Sequence, residues 1–135
     1  MGTWGVGPFE NDHACDLAGQ IDSVETLERP VLVESALLAA LEQGYSAPSR
    51  IFDQAVAAAA IVASQCPGGS PVDSVYGPEE VIPDVHGLKM VELAIRVIVQ
   101  ALSEHSSVSR LWGESSSLRE WEGTLGELLS VLRNA

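Results

Sequence analysis

Apolar residues recur at helical spacing along most of this chain. Each stripe has the i, i+3, i+4, i+7 pattern of one helix face, as the first does at Ala14, Leu17, Ala18 and Ile21. The pattern predicts five main helices and a short one, over 12–22, 31–43, 48–65, 88–104, 106–114 and 117–133. No segment alternates apolar and polar residues long enough to predict a strand. We therefore expect an all-α fold, a single irregular bundle of about five main helices.

Residues at the ends of these segments indicate where the helices begin and end. Asn11 or Asp12 can cap the first helix by accepting hydrogen bonds from its unpaired N–H groups. Pro30 suits the first turn of the second helix, and Gly44 suits its left-handed end. Ser117 and Glu120 have the spacing of a capping box for the last helix.

The same pattern predicts how the helices pack. Residues 88–104 are apolar on more than one face, which predicts a central, mostly buried helix. The alanine run 57–60 predicts close approach of a neighbouring helix. A break near 66–77, rich in Pro and Gly, separates two helical halves of one domain, 1–135. A short helical piece is expected at 78–82 and is limited by the following proline.

Composition and charge narrow the classes of function. The chain has 135 residues, 46% of them apolar, and 19 acidic against 7 basic side chains, for a net charge of −12. The apolar content is too high for a disordered chain. The negative charge argues against binding to nucleic acid and to anionic membranes. Residues 1–48, 49–88 and 89–135 carry −7, −4 and −1, so the acidic excess lies in the first two-thirds.

The cysteines and the termini predict a soluble protein of a reducing cytoplasm. Cys15 and Cys66 have no zinc-ligand or disulfide-framework spacing, so both thiols are expected to be free. The first residues lack the features of a secretory signal. The longest apolar run, 55–63, is well short of the ~20 residues that span a bilayer. No cofactor motif is present, and none is expected to bind.

The residues before the first helix form the most distinctive segment of the sequence. Gly5 and Gly7 would allow a tight path, and Trp4 and Phe9 would anchor it to the bundle. The acidic and amide side chains that follow would cap the helix and complement its dipole. The residues assigned to this structural motif are Trp4, Gly5, Gly7, Phe9, Asn11 and Asp12.

This opening resembles that of domain-of-unknown-function family 4259, a family of small, mainly bacterial proteins. The matching residues are Met1-Gly2, Trp4-Gly5, Gly7, Phe9-Glu10-Asn11-Asp12, Ala14 and Asp16. Leu111-Trp112 and Trp121 resemble the family's C-terminal part. The resemblance implies an all-helical domain and brings no activity, cofactor or catalytic residue.

The same residues allow an alternative hypothesis, a metal-binding protein or a metal-dependent enzyme. Glu10 and His13 have Glu-x-x-His spacing, and Asp12 and Asp16 are one turn apart. His86 could complete a site from across the bundle. A di-iron bundle would need a second Glu-x-x-His motif, which the sequence lacks.

The sequence favours a non-catalytic binding protein of the interaction or inhibitor type, such as an immunity protein that neutralises a basic toxin. The acidic face of residues 10–42 would dock a basic protein partner, since opposite charges accelerate encounter and reject wrong partners. A homodimer through the nearly neutral C-terminal helices is a further possibility, because self-repulsion is least there.

Overall fold

The computed structural model describes residues 2–72 and 75–135 and confirms the all-α fold. The helices within these ranges are α1 (Asp12–Ser23), α2 (Arg29–Gln43), α3 (Ser49–Ser64), α4 (Leu88–Leu102), α5 (Ser107–Gly113) and α6 (Leu118–Arg133). An isolated bridge between Thr3 and Asn11 is the extent of β-pairing in the described residues. None of the helices found there has the length and apolar character needed to cross a membrane. Met1, and Asp73 and Ser74 of the expected break, lie outside the described residues.

Three of the four predicted helix boundary devices are present. Pro30 lies in the first turn of α2. Asn11 caps α1, since its Oδ1 accepts a 2.8 Å hydrogen bond from the Ala14 N–H. Gly44 follows α2 with a φ of 76° and a ψ of −159°, a positive-φ conformation that glycine reaches without the clash of a Cβ atom.

The capping box predicted for α6 is absent. The Ser117 backbone has φ −102° and ψ 9° instead of the extended geometry of a cap, and its side chain makes no capping hydrogen bond. Its N–H instead donates to Ser115 Oγ in the preceding turn. A capping side chain that the sequence analysis did not identify is the buried Ser106 hydroxyl at the start of α5. It accepts from the Ser109 N–H and donates to the Ala101 carbonyl, joining α5 to the end of α4.

The most central helix is α3, although α4, which the apolar pattern predicted to be central, also packs against α2, α3, α5 and α6. Helix α3 packs against α1, α2, α4, α5 and α6, whereas α4 leaves Leu88 and Val99 exposed. The alanines decide the difference, because Ala57–Ala59 are fully buried and small enough for neighbours to pack close on several sides. The expected close approach at the alanine run is therefore confirmed.

The long connection between α3 and α4 is held by side chains of the first half of the chain. Residues 78–82 are not helical, contrary to expectation. The N–H groups of Glu79 and Glu80 donate to the Asp22 carboxylate at 2.9–3.1 Å, and Arg29 Nη1 donates to the Val81 carbonyl at 2.7 Å. These contacts replace the bonds that a helical turn would make.

Gln65 fixes the end of the same connection. Its amide nitrogen donates to the Ile82 carbonyl at 3.2 Å, and its amide oxygen accepts from the Val85 N–H at 2.8 Å. Val85 is thereby inserted into the core, where it is 1% exposed. The connection is thus an ordered part of the fold that covers one end of α2 and α3.

Candidate binding sites

The segment before α1 folds into a closed loop. The Trp4 N–H donates to the Glu10 carbonyl at 3.0 Å, and the Asp12 N–H donates to the Gly2 carbonyl at 2.6 Å. Phe9, at 3% exposure, attaches the loop to the core. Trp4 differs from the expectation of an anchor, since it is 46% exposed and its ring meets that of Tyr76 edge to face at 5.1 Å. The indole is therefore part of the surface.

The carboxylate of Glu10 fills the inside of this loop. Its Oε1 accepts a 2.8 Å hydrogen bond from the Gly7 N–H. A Cβ atom built on Gly5 or Gly7 would lie 2.6 Å from that carboxylate. Neither glycine has a positive φ. The two glycines thus leave room for the Glu10 carboxylate, which is hydrogen-bonded inside the loop.

His13 pairs with a residue that the sequence did not single out. Its Nδ1 lies 2.9 Å from Oδ2 of Asp53, one turn into α3. Burial raises the pKa of the Asp53 carboxyl, and the hydrogen bond and charge of His13 partly oppose that rise. Within the described residues, His13 Nε2 and Asp53 Oδ1 make no further hydrogen bond. The pair has one free nitrogen and one free oxygen.

The other residues of the metal hypothesis lie apart from this pair. Asp12 and Asp16 are exposed on α1. His86 Nδ1 lies 2.8 Å from Asp84 Oδ1 and 3.2 Å from Gln65 Oε1, at the end of the connection. In the described part of the chain, no hydrogen bond or ion pair joins any two of the five candidates, and no three His, Cys, Asp or Glu side chains are placed to hold a metal ion.

The His13–Asp53 pair lies in an open cavity of about 560 Å³ between the N-terminal loop, α3 and α5, which we call the Trp112 groove. Its walls are Trp4 and Val6 from the loop and Leu111 and Trp112 from α5. One side of Trp112 stacks on the buried Trp121, with ring centres 5.9 Å apart and planes inclined by 16°. The groove therefore combines two indoles with a partly buried carboxylate.

A second candidate site is a surface around the first turn of α2. Four aliphatic side chains there are between 57% and 84% exposed: Leu27, Val31, Val81 and Leu88. The first two lie one helical turn apart. Arg29 brings Val81 alongside them through its hydrogen bond, and a 2.7 Å ion pair between Glu34 and Lys89 brings the start of α4 beside α2.

Exposed carboxylates stand within two residues of Leu27 and Val81 in the chain. They belong to Glu25, Glu28, Glu79 and Glu80. The basic groups nearby are already engaged, because Arg29 is buried against Val81 and Glu80 and Lys89 is paired with Glu34. We call the four aliphatic residues and the four glutamates the acidic apolar patch. It lies near the C-terminal end of α1, whereas the Trp112 groove lies at the N-terminal end, about 18 Å away along that helix.

The fold and these surfaces define a small α-helical domain with a closed N-terminal loop, an aromatic groove and an acidic apolar patch. The model of the family described as a domain of unknown function (DUF4259) matches residues 2–124, and the chain belongs to that family. Neither the curated proteins nor the solved structures contain a match to the chain.

Asp53 is the groove residue that the sequence did not single out. Asp53 is 40 positions from His13, and sequence spacing within α1 offers no route to a partner on α3. A usable signal was present, since Asp53 is an acidic residue one position after the fully buried Phe52 in a helix that is otherwise mostly apolar. Trp112 is only partly buried because the end of α5 leaves one side of it at the groove.

Proposed function

We propose that this protein is a non-catalytic binding protein of the bacterial cytoplasm that docks a basic protein partner. It acts as an interaction or inhibitor protein, for example an immunity protein for a basic toxin. The acidic apolar patch carries the proposal.

The patch has the composition of a docking site for a basic, amphipathic surface. Hydrogen bonds and an ion pair join the segments that carry its four exposed aliphatic side chains. An apolar surface formed by such side chains is typical of protein contacts. Glu80 is paired with Arg29, whereas Glu25, Glu28 and Glu79 make no ion pair within the described residues. These three carboxylates attract positive charge and repel anionic competitors. Half of the patch residues belong to the acidic face expected from residues 10–42, and the other half come from the connection and the start of α4.

A site-specific photo-crosslinking experiment tests this proposal. A benzophenone amino acid replaces Leu27 in the patch, and a matched protein carries it at Val99, an aliphatic position of α4 that is also exposed. Both are irradiated in a lysate of the native cell at low salt. We expect position 27 to capture a basic protein that position 99 does not capture.

Charge reversal and salt separate docking from unspecific capture. The double substitution Glu25→Lys and Glu28→Lys, or 0.5 M salt, should abolish capture at position 27, since exposed charges are screened at high ionic strength. The captured protein, once purified, should bind Leu27→Ser at least tenfold more weakly than Val99→Ser by calorimetry. Equal capture from both positions, capture that is indifferent to charge, or no capture at low salt would contradict the proposal. A dimer in sedimentation equilibrium that Leu27→Ser abolishes would show that a second copy of the chain, and not a basic partner, occupies the patch.

A further inference from the structure

We propose that the Trp112 groove binds an organic cation, the ammonium or guanidinium end of a small molecule or of a basic side chain. The inference is independent of the acidic apolar patch, which lies at the other end of α1. It rests on the walls of the groove, on the charges that line it and on the free atoms of the His13–Asp53 pair.

The walls suit a flat or compact cationic group. Trp4 and Trp112 present indole rings, and Leu111 adds an aliphatic surface that is 54% exposed. Indole faces attract ammonium and guanidinium groups because the ring quadrupole is negative above and below the plane. Trp112 is held in place by its stacking on Trp121. The groove is therefore partly ordered before a ligand arrives, which lowers the entropy cost of binding.

The charges that line the groove select the sign of the ligand. Asp53 and His13 are the titratable residues among its described lining, and no lysine or arginine belongs to that lining. When the imidazole is neutral, the pair carries one negative charge. Asp53 is 17% exposed, and a carboxylate in such surroundings attracts a cation more strongly than one in bulk water. An anionic ligand would be repelled by this local charge and by the net charge of −12 of the chain.

The free Asp53 oxygen favours a cation over a neutral apolar ligand and over a metal ion. An apolar ligand that covered Asp53 would leave Oδ1 desolvated and without a partner, which costs free energy. An N–H group of a cation could donate to that oxygen while its carbon atoms contact the indoles. A bound metal would need more ligands than this pair, and no group of three is placed to supply them in the described residues.

Titration with amino-acid amides tests the assignment. The probes are N-acetyl-arginine amide and N-acetyl-lysine amide, with the neutral N-acetyl-norleucine amide as the control of similar shape. Tryptophan indole N–H signals are followed by NMR on the intact protein. We expect the cations to shift the Trp4 and Trp112 signals saturably in the millimolar range, and the neutral probe to bind at least tenfold more weakly.

Substitutions distinguish binding in the Trp112 groove from a general attraction of cationic probes to an acidic protein. Asp53→Asn should weaken binding of the cations about tenfold. Asp16→Asn removes the same charge from an exposed position of α1 outside the groove and should leave the affinity unchanged. Trp112→Leu should weaken binding as well.

Three results would overturn the proposal. They are equal binding of the neutral and cationic probes to the unmodified protein, equal loss in the two asparagine variants, and unshifted indole signals at 50 mM probe. The first and last need no variant, so a folding defect in Asp53→Asn leaves the test intact. An alanine peptide with one central arginine distinguishes the two sources of the cation. If it binds more tightly than N-acetyl-arginine amide, the cation belongs to a protein partner. If the two bind equally, it belongs to a small molecule.

Discussion

The coupling between Gly5 and Glu10 gives the sharpest test of the N-terminal loop. An alanine at position 5 would place its Cβ 2.6 Å from three atoms of the Glu10 carboxylate, well inside van der Waals contact. The carboxylate is the flexible end of a long side chain, so it will move away and give up its hydrogen bond with the Gly7 N–H. We therefore expect Gly5→Ala to destabilise the protein through the loss of that bond.

The magnitude follows from the bond that is lost. A hydrogen bond to a charged group contributes about 1.5–3 kcal/mol, and the lower end applies because Glu10 is only partly buried. Replacing glycine at an unstrained position returns about 0.5 kcal/mol by restricting the unfolded chain. Gly5→Ala should thus lower the free energy of unfolding by about 1 kcal/mol, or a melting temperature by about 4 °C.

A double-mutant cycle measures the coupling. Urea unfolding is followed by circular dichroism for the original protein, Gly5→Ala, Glu10→Ala and the double variant. In the Glu10→Ala background the obstacle is gone, so Gly5→Ala should cost nothing or stabilise slightly, and the coupling energy should be about 1.5 kcal/mol. Gly123→Ala, at an open position of α6, is the control and should show no coupling to Glu10. Additive effects of Gly5→Ala and Glu10→Ala, within about 0.4 kcal/mol, would refute the explanation of the glycine.

Three further substitutions test other parts of the fold. Asn11→Ala removes the buried cap of α1 and should cost about 1–2 kcal/mol in urea unfolding, whereas retained stability would argue against capping. Gly69→Ala would drive a Cβ into the Ala63 carbonyl and should cost about 1–3 kcal/mol, seen as a lower melting temperature by calorimetry. Burial raises the pKa of Asp53, so the folded state holds that proton more tightly and its stability contribution is lost as pH rises from ~4 through the raised value. Asp53→Asn should remove this slope from unfolding free energies measured across that pH range, and an unchanged slope would count against the assignment.

Helix positions were predictable because their signals are local. A stripe of apolar residues and a capping side chain lie within one or two turns of each other, as Asn11 and Gly44 show. The prediction of a capping box was wrong because a Ser-x-x-Glu sequence is also compatible with a turn, and Ser117 adopts a turn conformation. The apolar pattern did not identify α3 as the most central helix, because hydrophobic patterning gives weight to large side chains. Helix α3 is central through small ones such as Ala58.

The candidate sites were predictable only in part, because they depend on contacts between distant segments. The acidic character of the first two helices was visible in the charge count. The pairing of His13 with Asp53, and the approach of Val81 to α2, span 40 and 52 positions and follow from packing. Spacing alone also does not reveal that the Glu10 carboxylate accepts a hydrogen bond inside the loop.

The side-chain supports of the long connection have a consequence for the internal motions of the molecule. The amide protons of Glu79, Glu80 and Val85 are bonded to Asp22 and Gln65 side chains, and not to the backbone of a helix. Rotation of two side chains is enough to release them, while helix amides exchange only when a turn or the bundle opens. The connection should therefore form a separate hydrogen-exchange unit, one that opens more often than α3 and that a partner seated on Val81 would slow.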